Sequence, residues 1–304
     1  MNRSEEKMGI IYTAFAYLLW GFLPIYWKLV NNVPAGEILA HRIVWSFLFM
    51  VVVILLLRKS SGFFAECKVI LKDKKKLIGI TFASIVISIN WLTYIWAVNN
   101  DHVIQASLGY YINPLVSILL GIIVLKERLT RKQLLSFVIA GIGVINLTVS
   151  YGVFPWVSLL LAVSFGLYGL LKKTVDISAM FGLAIETLIV TPIALIYLLA
   201  IPNGAFAFNN IFTSTSLLLI GAGVATAVPL LLFASGAKQI PLSMVGFLQY
   251  IAPTIMLILG VFLYHEKFSM AHLLSFSLIW VALIIYMGSA QRRPVKKSQK
   301  RASS

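Results

Sequence analysis

The 304 residues are 60% hydrophobic and only 12% charged, where a soluble domain carries roughly one quarter charged residues; a water-soluble fold is excluded and an all-α integral membrane protein is expected. Lys and Arg number 25 against 10 Asp and Glu, a formal net charge of +15, but these cations fall in short loops and the tail rather than on one nucleic-acid-binding face. The single cysteine, Cys67, gives neither a disulfide framework nor a CxxC pair.

A transmembrane helix takes about 20 mainly apolar residues, and polar or turn-forming breaks divide the chain into ten such runs: 8–30, 36–57, 77–98, 103–125, 133–150, 154–171, 178–200, 214–236, 241–264 and 270–289. The first is too long for a signal-peptide core and lacks a small-residue cleavage pattern after it, so it is expected to be retained. Only 58–76 and 201–213 read as long polar loops, and Ser150-Tyr-Gly-Val153 alone parts the fifth run from the sixth. With the N-terminus in the cytoplasm, every cation except Lys28, Arg42 and Lys267 lies on one side. That is the positive-inside pattern of a cell-membrane protein (inner or plasma membrane) with both termini cytoplasmic. The lipid bilayer is the partner this predicts, and nucleic acid is not one. The basic tail from Arg292 to Arg301 is expected to be disordered near anionic headgroups.

An internal repeat runs through the chain. Ser107-Leu-Gly-Tyr-Tyr-Ile-Asn-Pro114 aligns with Gly246-Phe-Leu-Gln-Tyr-Ile-Ala-Pro253. The register continues without a gap through Gly121 and Gly260, Glu127 and Glu266, and an identical Leu-Leu-Ser-Phe at 134–137 and 273–276. A weaker echo relates Trp20-Gly21 and Lys28 to Phe165-Gly166 and Lys173. Each half then holds five helices, and an odd number of crossings turns the second half upside down. Inverted repeats are a common plan of secondary transporters, with the solute near the midplane between halves.

Enzyme signatures are missing: there is no GxxxxGK[ST] loop, no HExxH and no GxSxG. The histidines, His41, His102, His265 and His272, have no metal-ligand spacing. No cofactor or metal is expected, and the chain does not read as an enzyme.

Arg42 is the residue hardest to assign to packing, because a lipid-facing arginine inside the bilayer costs about 3 kcal/mol or more. It should face protein or a wet cavity, where an anionic group of a solute and a structural ion-pair partner are the two readings. Glu37 and His41, one turn apart on the same face, read either as interfacial groups or as functional ones. Glu186 is the only acidic residue well inside a run; proton coupling and pairing with a cytoplasmic lysine both suit it. Polar and aromatic side chains supply a cavity lining in Asn90, Trp91 and Tyr94, in Tyr111 and Asn113, in Tyr168, and in Gln249 and Tyr250. Pro114 and Pro253 predict helix interruptions, which persist in a membrane only where protein or water satisfies the freed backbone. Tyr111 and Tyr250, related by the repeat, are favoured, whereas Trp91, Tyr94 and Trp96 read alternatively as an interfacial belt, the preferred reading for Trp96. Glu127 and Glu266, closing the fourth and ninth runs, are expected to be structural clamps, paired with Arg128 or Lys267 or with the other half. Gly141 and Gly143 suit a close helix contact, within the chain or in a homo-oligomer.

Trp20-Gly-Phe-Leu-Pro-Ile-Tyr-Trp-Lys28, followed by Glu37-Ile-Leu-Ala-His-Arg42 and Trp45-Ser46, strongly resembles the RarD group of permeases, in the EamA division of the drug/metabolite transporter superfamily. The resemblance extends over nearly the whole chain. It implies ten transmembrane helices as two inverted five-helix EamA repeats, 8–150 and 154–289, around a central cavity, with 290–304 as a basic cytoplasmic tail. It also implies transport of small metabolites or drugs, often outward. Tyr264-His265-Glu266 departs from the group, where a glycine often precedes the glutamate. The function expected is alternating-access transport of a small organic solute; a membrane sensor or scaffold that binds without translocating is the alternative.

Overall fold

In hydrocarbon no water is available to backbone N–H and C=O groups, so each segment must satisfy them internally, and among the described residues every regular element is a helix. The computed structural model describes residues 3–30, 32–99, 103–152, 156–202, 204–206, 211–263 and 269–290. In the first half lie α1 (Arg3–Lys28), α2 (Ala35–Leu56), α3 (Ser60–Lys72), α4 (Lys74–Asn99), α5 (Val103–Ile123) and α6 (Arg131–Tyr151). The second half holds α7 (Trp156–Thr174), α8 (Ala179–Ala200), α9 (Ser214–Gln239), α10 (Leu242–Gln249), α11 (Ile251–Phe262) and α12 (Met270–Ala290).

Among the described residues nine helical stretches are long and apolar enough to cross a membrane, one of them the window Leu242–Leu259 shared by α10 and α11. The apolar part of α5, Leu108–Ile123, is shorter. Gly152, in the left-handed region at φ 68°, closes α6 in the conformation that glycine adopts without steric cost.

The polar loop expected over 58–76 is mostly helix α3. Its apolar residues are spaced to face inward: Ile70 is buried and Phe63 meets Phe181 of α8 with ring centroids 5.9 Å apart. The two expected proline interruptions part company. The ninth run breaks at Tyr250, where Pro253 cannot bond the Gln249 carbonyl and the Thr254 hydroxyl bonds that of Tyr250 at 2.8 Å. The fourth run stays helical through Pro114, held between α7 and α10.

Helix contacts cross between the halves throughout: α1 and α2 pack on α9, α2 on α8, α4 on α7 and α8, α5 on α7 and α10, and α6 on α12. If α1, α2, α4, α5 and α6 are exchanged for α7, α8, α9, α10–α11 and α12, the contacts that these helices make between the halves map onto themselves. The α1–α9 contact becomes α4–α7, and α5–α7 becomes α1–α10 and α1–α11. The α2–α9 crossing is tight, since a Cβ on Gly223 would overlap the Trp45 backbone. Gly143 seats α6 on α12, its hypothetical Cβ 2.9 Å from the Ser275 oxygen, whereas Gly141 has nothing within 4 Å.

Two carboxylates tie the halves together at opposite ends of the bundle. Glu37, at the start of α2, accepts hydrogen bonds from the Ala205 and Phe206 amides at 2.6 and 3.3 Å. Glu127, after α5, accepts from the Leu242 and Ser243 amides at 2.6 and 3.0 Å. The second is an anion at a helix N-terminus, where the dipole and free N–H groups favour it. Gly121 makes room for it: a Cβ there would stand 2.8 Å from Glu127 Oε2. Of the clamps expected for Glu127, the tie to the other half is the one present. Glu266 and Lys267 lie outside the described residues, as do His102, His265 and the tail.

Candidate functional site

A cavity of about 100 Å³ lies between α1, α2, α4, α5, α7, α10 and α11, from the middle of α1 toward the Glu37 end. Its most unusual wall residue is Arg42, two turns into α2 and only 8% exposed. Nε donates to Thr226 Oγ1 of α9 at 3.0 Å. The guanidinium carbon lies over the Trp27 ring at 4.6 Å and the Trp91 ring at 4.9 Å from the centroids. The Nη nitrogens make no hydrogen bond or ion pair among the described residues, and no carboxylate lines the cavity there. Aromatic faces and one hydroxyl therefore hold this cation in place without neutralising it.

Asn90, Trp91 and Tyr94 of α4, Asn113 of α5 and Gln249 of α10 all line the same space, as does Pro253. Asn90 is spent on α7, donating from Nδ2 to the Leu161 oxygen and Ser164 Oγ, both at 2.9 Å. Gln249 Oε1 accepts from Ser117 Oγ at 3.2 Å. Asn113 Oδ1 and the Tyr17 hydroxyl are buried without a hydrogen-bond partner, and both residues line the cavity. Buried polar atoms are almost always paired, so these two mark where a ligand atom would be welcome.

Three expected lining residues stand elsewhere. Tyr111 packs edge-on to Phe276 of α12, centroids 5.0 Å apart, and Tyr250 is buried in the same apolar cluster. Tyr168 donates to Glu186 Oε2 at 3.2 Å. In place of the first two, Tyr110 and the α1 stripe Tyr17, Trp20, Pro24 and Trp27 line the cavity. Helical spacing explains both outcomes. Tyr110 is three residues from Asn113 and shares its face, whereas Tyr111 is turned by about 100°. The α1 residues recur at three- and four-residue steps, the spacing of one helix face, which is the signal that would have found them.

Glu186 lies outside the cavity. Its Oε1 pairs with Lys172 Nζ at 2.6 Å, both side chains being buried. His41 stacks on Phe206, centroids 5.0 Å apart, and its Nε2 is 3.8 Å from Glu37 Oε1, so both residues belong to the tie at that end. Trp96 is partly exposed and meets Trp156 at 5.5 Å. A second cavity, about 300 Å³, opens beside Glu127. Arg128 and Lys173 face it with Glu6, so its charges are of both signs.

The sequence pattern of the EamA-like transporter family matches residues 7–149 and again 155–288. The chain belongs to that family. Within it, the chain is 52% identical over 290 residues to the uncharacterized transporter YojE of Bacillus subtilis (strain 168), covering 94% of this chain and 95% of that one. It is 42% identical over 300 residues to the protein RarD of Escherichia coli (strain K12), covering 97% and 100%. These relatives place it in the RarD group of the drug/metabolite transporter superfamily. A crystal structure superposes with a TM-score of 0.72 over 93% of this chain and 99% of that one, at 17% identity, which supports the fold alone. A transporter family agrees with the expectation of a multi-pass membrane protein that handles small molecules.

Proposed function

We propose that this EamA protein is a secondary transporter that moves a small organic solute by alternating access around the Arg42 cavity, with the Glu127 end facing the cytoplasm. The observation that carries it is the unneutralised guanidinium of Arg42 at a cavity between the two halves. An unpaired cation in hydrocarbon is costly, and a solute anion would offset that cost while bound. The self-mapping helix contacts support ten membrane crossings in two inverted repeats, and the cation distribution supports cytoplasmic termini. Arg42, Asn90, Trp91, Tyr94, Tyr110, Asn113 and Gln249 would contact the solute. The carboxylate ties of Glu37 and Glu127 would break in turn as one half rocks on the other.

Cells overexpressing the wild type or Arg42→Ala, matched for membrane protein, provide the test. Solutes that accumulate outside with the wild type alone support export, and counterflow of those solutes in proteoliposomes fixes it as transport. A purified protein that binds a solute yet gives no counterflow would replace this reading with a sensor.

A further inference from the structure

The Arg42 cavity has a chemistry narrow enough to name its solute class, and the following rests on the transport reading above. A guanidinium carries five N–H donors in one plane. Trp27 and Trp91 cover its faces at 4.6 and 4.9 Å and Thr226 takes the Nε hydrogen, so what remains is the in-plane edge formed by the Nη groups. That edge fits a planar carboxylate through two parallel hydrogen bonds.

Charge then limits the ligand. Among the described residues Arg42 is the only cation lining the cavity, so one negative charge balances it. A dianionic phosphate would leave an excess charge buried, and an ammonium would meet like charge with no carboxylate to receive it. Size limits it further. The space, about 100 Å³ and partly open, is below the ~150 Å³ enclosed apolar cavity that holds benzene and far below the ~300 Å³ at which drug-sized pockets begin, so a single ring is the most it takes. Shape favours a flat ring, because Trp20, Trp27, Trp91, Tyr94, Tyr110 and Phe165 present aromatic surface on which another ring stacks or packs edge-on. Finally, Asn113 Oδ1 is a buried acceptor with no donor, and an N–H or O–H on the ring would satisfy it.

We propose that the Arg42 cavity selects single-ring aromatic monocarboxylates, preferably with an amino or hydroxyl substituent on the ring. The carboxylate sits on the Nη edge of Arg42, the ring lies among the tryptophans and tyrosines, and the substituent donates to Asn113 Oδ1.

The test uses the purified full-length protein in detergent. Its thermal unfolding is followed in titrations with benzoate, the 2-, 3- and 4-aminobenzoates, benzamide, benzylamine and phenyl phosphate. Benzoate and the aminobenzoates are expected to raise Tm, with at least one aminobenzoate ahead of benzoate. Benzamide, benzylamine and phenyl phosphate are expected to bind about tenfold or more weakly, as is benzoate to Arg42→Gln, the size of one charge-assisted hydrogen bond. Should Arg42→Gln fail to fold, Asn113→Asp is the second variant: a carboxylate at that position repels the ligand and weakens benzoate binding to a similar degree. The proposal is overturned if no carboxylate raises Tm, if benzamide or benzylamine does as well as benzoate, or if the folded variants bind benzoate unchanged. Counterflow separates this from the transport reading. Carboxylate binding without flux keeps the ligand class and removes transport, while protein-dependent flux of neutral or cationic solutes alone keeps transport and removes the class.

Discussion

Arg42 and Glu186 occupy nearly equivalent places in the two halves, in α2 and α8, yet their surroundings differ in one decisive respect. Glu186 has a buried counter-ion in Lys172 at 2.6 Å and a second hydrogen bond from Tyr168. At Arg42, the position that corresponds to Lys172 in the repeat is Trp27, whose ring supports the guanidinium without cancelling its charge. Two buried charges are therefore managed in opposite ways. One is neutralised within the protein by an ion pair that links α7 to α8, and the other is left open at a cavity wall, where we propose that an anion binds. The difference predicts that changes at Glu186 register mainly in folding and changes at Arg42 mainly in binding.

The largest effect should come from breaking the neutralised pair. Glu186→Gln leaves Lys172 buried and unpaired, which should cost about 3–5 kcal/mol. Removing both charges, in Lys172→Met with Glu186→Gln, should recover most of that loss. Unfolding of the detergent-purified variants measures both values. If the double variant folds well but its flux no longer responds to an imposed proton gradient that drives the wild type, the pair is a proton-coupling device and the comparison needs redrawing.

Next comes the open charge. Arg42→Gln should weaken binding of an anionic ligand by about 1.5–3 kcal/mol, the worth of hydrogen bonds to a charged group. Its folding penalty should be smaller than that of Glu186→Gln because no buried anion is stranded. A folding loss equal to that at Glu186, in the same unfolding assay, would show that Arg42 has a structural partner after all. Glu127→Gln should cost about 1 kcal/mol, as expected for a helix cap, and should leave equilibrium binding at the distant cavity unchanged in titrations. Smallest of all is Trp96→Phe, at the partly exposed pair with Trp156, where a surface substitution should change stability by no more than about 0.5 kcal/mol.

Much of this was legible in the residues themselves. Apolar run lengths located the membrane-crossing helices, and the cost of an arginine in lipid drew attention to Arg42 before any contact was known. What the residues concealed was rotation and pairing. Tyr110 and Tyr111 are equally polar and adjacent, and only the helical face they share with Asn113 or with α12 separates them. Glu186 read equally as a titrating group or half of an ion pair, and only the distance to Lys172 on another helix shows that it has a partner. Glu127 had charged neighbours along the chain, yet its partners are backbone amides of α10, which no side-chain pattern reveals. In 58–76 the dense lysines hid the inward-facing Phe63 and Ile70 that make the segment a helix.

The most direct test of the central claim is benzoate counterflow in proteoliposomes, measured side by side for Arg42→Gln and for Lys172→Met with Glu186→Gln, each reconstituted at equal protein. Our account predicts flux near the wild-type level with the paired-charge variant and a loss of about tenfold or more with Arg42→Gln. Undiminished benzoate flux through Arg42→Gln would contradict it.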